Sequence, residues 1–311
     1  MQYYQENTVL GSIVQLSLVF NKPAPQAQEL MNRLWRMTFA FERRFSRFLP
    51  ESELSIFNRN AGNKQPLSDE FRDILLKAKN IGLKTGGLYN PFILPALQAA
   101  GYKNSLVKGY EKDVSDDHSH KSVADVSRLE IGDDWASIPY DSALDLGGCG
   151  KGYLADKLAD ETDKMADGYW FSLGGDIVSG GVDDNGNPWV IEVQAASKHD
   201  LAAGYIHTKG DRCAAATSGT VARTGKQQGK PWHHLIDPRS LKPADTDIVL
   251  ATLNGRSAFD ADVLASCAVI LGSKRAASFL SEQGVTDWLI QYRDKAGNIR
   301  TKKQGSKIRL K

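Results

Sequence analysis

Hydrophobic positions in three stretches of the chain recur every three or four residues, which is typical of helices that pack on a core. One stretch extends from Gln26 to Phe48, and a second covers Ser68 to Lys84. The third covers Ser257 to Leu271 and is followed by Gly272, a residue that commonly ends helices. Between Leu88 and Pro95, two prolines argue against a regular helix.

Short apolar or alternating stretches dominate the second half of the chain and predict strands. The predicted strands cover residues 8–20, 170–173, 189–193, 201–208, 213–219, 233–239, 248–253 and 287–291. Several of them are joined by turns, of which Asp183 to Pro188 is one, and hairpins favour antiparallel pairing. We therefore predict an α+β fold with mixed, mainly antiparallel sheets and helices packed on them. Residues 1–311 are expected to form a single domain with a polar insertion near residues 103–121.

The stretch from Ala143 to Tyr153 joins an apolar strand end to a predicted helix through four glycines and Lys151. Such a turn brings the backbone close to a ligand, and the N-terminus of the following helix favours an anion such as phosphate. Neither the P-loop pattern nor the dinucleotide fingerprint matches. From these residues alone, a phosphate-binding turn and a tight turn without a ligand both stay open.

Charge and hydropathy exclude several function classes. The 39 Lys and Arg residues nearly balance the 37 Asp and Glu residues, and no run of like charge suggests nucleic-acid binding. No apolar run approaches the ~20 residues of a membrane-spanning helix. Residues 1–8 are polar and lack the features of an export signal, so the chain as written is expected in the cytoplasm. If a leader was removed, the expected location is the periplasm or a membrane anchor.

Two sets of potential metal-ligand residues are not assigned to a metal site. The three cysteines, Cys149, Cys213 and Cys267, have no metal-type spacing and are expected to be buried free thiols. The tract from Asp116 to His120 is either a metal-binding segment or a solvated loop, and its composition favours the loop.

Asp262 and Ser266 lie four residues apart on the third predicted helix and therefore on one face. A carboxylate and a hydroxyl, with backbone carbonyls from a glycine turn, form an all-oxygen donor set that suits Mg²⁺. The alternative is a surface acid beside a hydroxyl that packs between helices.

Polar residues on two predicted strands are further candidates. His233 and His234 are neighbours on a strand, so they point to opposite faces and one of them can act as a general base. Thr217 and Ser218 can hydrogen-bond a phosphate or a ring edge, or can form a Ser/Thr turn.

Six segments, taken in order, resemble the FAD:protein FMN transferases of the ApbE type. They are residues 45–48 with 52–58, 89–102, 144–153, 173–176, 216–219 with 223, and 234–239 with 261–266. No segment is decisive alone, but the ordered set is specific and covers the chain from about Thr8 to Gly272.

The resemblance implies that the protein binds FAD with Mg²⁺ and transfers FMN to a Ser or Thr hydroxyl of a partner protein, releasing AMP. It implies that the metal is held by the carbonyl of Gly148 and the side chains of Asp262 and Ser266, with a backbone contact from Ala265. His234 is expected to assist removal of the acceptor proton. The residues expected to bind FAD are Phe48, Ala100, Gly101, Tyr102, Asp145, Lys151, Gly175, Thr217, Ser218 and Ile236.

Two other functions would use the same residues. One is an FAD-binding protein without transferase activity. The other is an FAD pyrophosphatase, in which water replaces the acceptor hydroxyl and the products are FMN and AMP.

Overall fold

The computed structural model describes residues 1–23, 25–104, 117–197, 201–221, 224–227 and 230–311. They divide into two compact units, the first within residues 1–40, 151–219 and 246–311, the second within residues 41–150 and 220–245. Helices and mainly antiparallel sheets make up both units, which confirms the predicted α+β class. The single-domain organisation stays a prediction.

The secondary structure elements are numbered in chain order. The helices are α1 (Gln26–Phe45), α2 (Glu53–Arg59), α3 (Asp69–Lys84), α4 (Leu94–Ala99), α5 (Gly150–Thr162), α6 (Ala258–Leu271) and α7 (Ala276–Glu282). The first nine strands are β1 (Gln2–Val9), β2 (Ser12–Val19), β3 (Gln65–Pro66), β4 (Glu130–Ile131), β5 (Trp135–Ser137), β6 (Gly168–Leu173), β7 (Asp176–Gly181), β8 (Val190–Gln194) and β9 (Ala202–His207). The remaining strands are β10 (Cys213–Gly219), β11 (Thr224–Gln227), β12 (Lys230–His233), β13 (Ile236–Asp237), β14 (Lys242–Pro243), β15 (Ile248–Gly255), β16 (Asp287–Arg293), β17 (Ile299–Gln304) and β18 (Ile308–Leu310).

The first unit is built on an eight-stranded sheet with the order β1-β2-β6-β7-β10-β15-β16-β17, in which all neighbours are antiparallel. Helix α6 packs on β10 and β15. Three consecutive alanines of β10, Ala214 to Ala216, are at most 3% exposed, and their small side chains allow the helix to approach the sheet closely. A separate three-stranded sheet, β18-β9-β8, contributes Ile191, Val193 and Ile206 to a second apolar cluster.

The second unit is built mainly from helices α2, α3 and α4, with three small sheets of the orders β3-β5-β4, β11-β12 and β13-β14. Its core contains three aromatic side chains, Phe45, Phe57 and Phe71. The ring centroid of Phe71 lies 5.3 Å from that of Phe45 and 5.3 Å from that of Phe57. Ser68 caps α3 by accepting a hydrogen bond from the backbone N–H of Phe71.

Two predictions about the first half of the chain are wrong in detail. The strand predicted for residues 8–20 starts too early, because β2 begins only at Ser12. Residues 8 and 9 belong to polar β1, which pairs with β2 through a two-residue turn at Leu10 and Gly11, both with positive φ. The prolines exclude an α-helix from most of the stretch from Leu88 to Pro95, where residues 91–93 form a 3₁₀ turn, but α4 begins at Leu94. A helix tolerates Pro95 in its first turn, where N–H groups have no partner within the helix.

Three further predictions are wrong in detail, two of them in the second half of the chain. The segment after the Asp183–Pro188 turn forms a single bridge, Val182 to Pro188, and then β8 pairs with β9 in the smaller sheet instead of returning along β7. The strand predicted for residues 233–239 is split into β12 and β13 by a bend that contains His234. The helix predicted for residues 26–48 also ends earlier, at Phe45.

The three cysteines are buried and free, as predicted. Most of the Asp/His tract near residue 118 is described from Asp117 onward, where the Asp117 carboxylate pairs with Lys103, while Asp116 lies outside the described residues. Hydrogen bonds from Lys103 and Ser119 hold the pKa of Asp117 below its usual range. Within the described parts of the chain, no helix is long and apolar enough to cross a membrane.

Candidate active site

The central glycine stretch has no strand before it, which corrects the predicted strand end. The backbone at Leu144 is instead paired by a side chain: Asn58 Nδ2 donates to the Leu144 carbonyl at 2.9 Å, and Leu144 N–H donates to Asn58 Oδ1 at 2.7 Å. The N–H of Asp145 donates to the carbonyl of Pro91 at 2.8 Å. The extended backbone is therefore satisfied without a neighbouring strand.

The four glycines of this stretch have different structural roles. Gly147 donates its N–H to Asp145 Oδ1 at 2.8 Å and closes a turn. Gly148 follows it and is half-buried, and α5 begins at Gly150. A Cβ atom on Gly152 would lie 2.4 Å from the carbonyl oxygen of Ala258, so this glycine allows α5 and α6 to pack closely and does not face an anion.

Lys151, Asp176 and Asp262 form a buried charge cluster in the first unit, which we call the lysine–carboxylate cluster. Lys151 Nζ pairs with Asp176 Oδ2 and lies 3.5 Å from Asp262 Oδ2. The side chains of Lys151, Asp176 and Asp262 are 15%, 4% and 7% exposed, respectively. Asp262 is therefore not a surface acid, and the alternative interpretation of the sequence is wrong on this point.

Hydroxyl groups extend from this cluster along the face of α6. Ser266, one turn after Asp262, has its Oγ 2.8 Å from Ser218 Oγ. The neighbouring Thr217 points to the other side of β10, where its Oγ1 lies 2.8 Å from Thr252 Oγ1. The two hydroxyls on β10 therefore do not share a face, and only Ser218 reaches α6.

The turn between β6 and β7 lies beside Lys151. Gly174 and Gly175 have φ values of 65° and 95°, a conformation that favours glycine. A Cβ atom on Gly174 would be 3.5 Å from Lys151 Cδ, whereas one on Gly175 would meet open space. Gly175 thus leaves an exposed backbone at the edge of the lysine–carboxylate cluster. Ala265 lies on α6 between the two predicted metal-ligand side chains and is fully buried.

A second cluster, in the second unit, combines a guanidinium group with aromatic rings. Arg47 Cζ lies 4.2 Å from the ring centroid of Phe48 and 4.6 Å from that of Tyr102. The Tyr102 ring is in turn 5.7 Å from the ring of Trp232. We call Arg47, Phe48, Tyr102 and Trp232 the guanidinium–aromatic cluster. Arg47 also pairs with Asp145, its Nε lying 2.9 Å from Oδ2.

An apolar cluster adjoins this group of rings. Ile236 packs with Ala96 and Leu97, and Ala100 and Tyr102 pack against the same cluster. Gly101 has a φ of 107° and connects Ala100 to Tyr102. The structure therefore brings together the predicted FAD-site residues Phe48, Ala100, Gly101, Tyr102, Asp145 and Ile236.

The two histidines have separate environments. His233 Nε2 lies 3.1 Å from the carbonyl oxygen of Ala244, and burial lowers the pKa of His233. His234 follows the end of β12 and is half-buried in the bend. Because β12 ends at His233 and His234 lies in the bend that follows, the prediction that both histidines lie on one strand is wrong.

Three residues of these clusters are absent from the set predicted from sequence. Asp176 directly follows Gly175, so its position in a Gly-Gly-Asp turn was the available signal. Arg47 and Trp232 contribute to a cluster whose members are far apart in the chain, and no local pattern predicts such a contact.

The ApbE family matches residues 10–290, so the chain belongs to this family. Among curated proteins, it is similar to the "FAD:protein FMN transferase" of Salmonella typhimurium, with 25% identity over 295 residues, covering 92% of this chain and 83% of the relative. The protein of the same name from Treponema pallidum is 25% identical over 313 residues, covering 94% of this chain and 85% of the relative. The curated relatives are thus transferases that act on flavin.

Solved structures support the fold. The crystal structure of the Pseudomonas stutzeri flavinyl transferase ApbE in its apo form has a TM-score of 0.81 and 19% identity, covering 98% of this chain and 95% of that one. The Thermotoga maritima ApbE protein also has a TM-score of 0.81, with 21% identity and 96% coverage of both chains.

Proposed function

We propose that this protein is an FAD:protein FMN transferase, which uses Mg²⁺ to transfer FMN from FAD to a Ser or Thr hydroxyl of a partner protein and releases AMP. Membership of the ApbE family and the activity named for the curated relatives support the reaction. The observation that carries the assignment of residues is the lysine–carboxylate cluster, where Asp262 lies buried and Lys151 lies between two carboxylates.

The donor chemistry of this cluster fits Mg²⁺ better than a softer metal. In the described part of the chain, no group of three or more His, Cys, Asp or Glu side chains could hold a metal ion. Mg²⁺ does not need such a cage, because it is commonly bound by one or two carboxylates together with water and substrate phosphates. Asp262 and the hydroxyl of Ser266 would hold it, and the carbonyl of Gly148 and a backbone contact from Ala265 stay predictions from the family pattern.

Net charge supports the same assignment. The Asp176 and Asp262 carboxylates carry two negative charges, and Lys151 supplies one positive charge. A divalent cation would add positive charge beside these two buried carboxylates, since buried charges are normally paired or coordinate a metal. When bound, the ion would polarise the phosphorus and neutralise negative charge on the phosphate oxygens.

The side chains of the protein have distinct proposed roles. Lys151 offsets the charge of the pyrophosphate and the exposed Gly175 backbone leaves room for it, with Ser218 orienting Ser266 through their hydrogen bond. The guanidinium–aromatic cluster offers flat surfaces for a ring of FAD, because aromatic rings and guanidinium planes both stack on heterocycles.

His234 is proposed to take the proton of the acceptor hydroxyl, whose oxygen forms a new bond to the phosphorus of the FMN moiety. The bond between that phosphorus and the bridging oxygen of the pyrophosphate breaks, and AMP leaves with the bridging oxygen. A histidine suits this role since its pKa lies near neutral pH.

The direct test is incubation of the purified protein with FAD, Mg²⁺ and candidate acceptor proteins that contain Ser or Thr in exposed segments. In-gel flavin fluorescence and intact mass would show an acceptor that carries FMN. Tight binding of FAD without AMP would favour the inactive binding protein, and free FMN with AMP would favour the pyrophosphatase.

A further inference from the structure

We propose that Arg47 is a positioning residue of the FAD site, which fixes the glycine turn at Asp145 and the backbone at Tyr102 in the arrangement that receives a ring of FAD. This inference rests on the proposed function and assigns a role to a residue outside the predicted FAD-binding set.

Arg47 joins three segments that are distant in the sequence. Its Nε lies 2.9 Å from Asp145 Oδ2, and its Nη2 donates to the carbonyl oxygen of Tyr102 at 3.0 Å. Its guanidinium plane also lies against the rings of Phe48 and Tyr102. Phe48, Tyr102 and Asp145 are all predicted FAD-site residues, so one side chain fixes the positions of all three.

Asp145 transmits this constraint to the glycine turn. Its Oδ2 is engaged by Arg47, and its Oδ1 accepts the N–H of Gly147 at 2.8 Å. Both oxygens therefore have partners, and the Asp145 side chain is only 8% exposed. We infer that Asp145 supports FAD binding by holding the turn that leads to Gly148, and that direct contact with FAD is not its main role.

The hydrogen-bonding pattern of Arg47 argues against a purely structural purpose. The Arg47 side chain is 6% exposed, and its Nη1 has no hydrogen-bond partner within the described residues. Leaving a buried donor unsatisfied reduces stability. An unsatisfied buried donor in a native protein calls for an explanation. Here the guanidinium group stays where it contacts Asp145, the Tyr102 carbonyl and both aromatic rings at once.

Lysine cannot replace this arrangement, because an ammonium group is a point donor without the planar fork and stacking face of arginine. Arg47→Lys keeps the charge beside Asp145 but loses the simultaneous contact with the Tyr102 carbonyl. The matched control is Arg44→Lys, three residues earlier. Arg44 binds Glu53, Glu70 and Ser68, none of which is a predicted FAD-site residue.

The test measures the Kd for FAD by isothermal titration calorimetry, with Mg²⁺ present and acceptor absent, together with the kinetics of transfer. We expect Arg47→Lys to raise the Kd and the KM for FAD by roughly 10- to 100-fold, less than removing one partner of a buried charge pair would, because lysine keeps the charge. The kcat at saturating FAD should change less than about threefold, since lost uniform binding raises KM without lowering kcat. Arg44→Lys should leave the Kd within about twofold of wild type.

A double-mutant cycle separates a shared pathway from independent effects. Asp145→Asn keeps an oxygen for the N–H of Gly147 and removes the charge that Arg47 binds. If Arg47 acts through Asp145, the double variant should bind FAD within about threefold of the weaker single variant, because coupled residues are not additive.

Three results would overturn the inference: an unchanged Kd in Arg47→Lys, equal weakening in Arg44→Lys, or effects of the two single variants that multiply in the double variant. If Arg47→Lys does not fold, Asp145→Asn decides alone, and an unchanged Kd in that variant rejects the role. Wild-type protein that neither binds FAD nor transfers FMN would instead refute the proposed function.

Discussion

The lysine–carboxylate cluster and the guanidinium–aromatic cluster both bury a cation beside a carboxylate, but their surroundings differ. In the first, Lys151 lies between the carboxylates of Asp176 and Asp262, with the Ser218 and Ser266 hydroxyls further along α6. In the second, Arg47 serves one carboxylate and lies against two rings. The first offers oxygen ligands from two carboxylates and two hydroxyls, whereas the second offers aromatic rings beside a single arginine–carboxylate pair.

This difference indicates a division of work between the two clusters. Oxygen donors and charge suit a divalent cation and phosphate groups, and stacked rings suit an aromatic heterocycle. We therefore expect substitutions in the first cluster to change the dependence on Mg²⁺ and the rate, and substitutions in the second to change the affinity for FAD. The following predictions test that division.

The largest effect is expected for His234→Ala, which removes the proposed general base, two positions after Trp232 in the sequence. The transfer rate should fall by roughly 10²–10⁴, the usual span for general acid–base catalysis. The measurement is the initial rate of acceptor flavinylation at saturating FAD, with His233→Asn as the neighbouring control. A decrease of less than about tenfold would mean that the hydroxyl loses its proton by another route.

The next largest effect is expected for Asp262→Asn, which keeps the size of the side chain and removes its charge. The transfer rate should fall by roughly 10²–10³, as is typical when one preorganised electrostatic group is removed. The Mg²⁺ concentration for half-maximal rate should rise as well. Asp260→Asn is the matched control, because Asp260 lies exposed in the first turn of the same helix. Near-full activity in Asp262→Asn would reject the metal assignment.

Gly152→Ala tests whether close packing of α5 against α6 supports the first cluster. The added Cβ would lie 2.4 Å from the carbonyl oxygen of Ala258, so the helices have to move apart. We expect the free energy of unfolding to fall by about 1–3 kcal/mol, measured by urea denaturation. Gly255→Ala is the control, since its Cβ would meet nothing within 4 Å, and its effect should stay within about 0.5 kcal/mol.

The smallest effect concerns His233, whose pKa is lowered by burial. Below the unfolded pKa of about 6.5, the unfolded chain binds a proton that the native protein takes up less readily. The native protein therefore loses stability as the pH falls through this region. In His233→Asn, the decrease in thermal midpoint between pH 7.5 and pH 5 should be smaller than in wild type. An equal decrease would show that His233 does not contribute to the pH dependence.

Local patterns predicted those parts of the structure that depend on neighbouring residues. The limits of α6 follow from its cap at Ser257 and from Gly272, whose φ of 76° ends the helix. The small-residue strand Cys213–Gly219 was also predicted with its observed bounds. Spacing alone placed Asp262 and Ser266 on one face of α6. In the structure, Asp262 lies 3.5 Å from Lys151 and Ser266 lies 2.8 Å from Ser218.

Contacts between distant residues could not be predicted in the same way. The side chain of Asn58 pairs with the backbone of Leu144, which lies 86 positions later in the chain, in place of a neighbouring strand. No local sequence pattern indicates such pairing. The polar sequence of β1 conceals a strand, because β1 is an edge strand whose exposed side chains need not be apolar. The pairing of Arg47 with Asp145 likewise depends on the folded chain.

The central claim is tested most directly by measuring AMP release and acceptor flavinylation in the same reaction, with and without Mg²⁺. The account predicts one AMP for each FMN attached to the acceptor protein, and neither product when EDTA removes the metal. AMP that accumulates with free FMN and an unmodified acceptor, or equal transfer in EDTA, would contradict it.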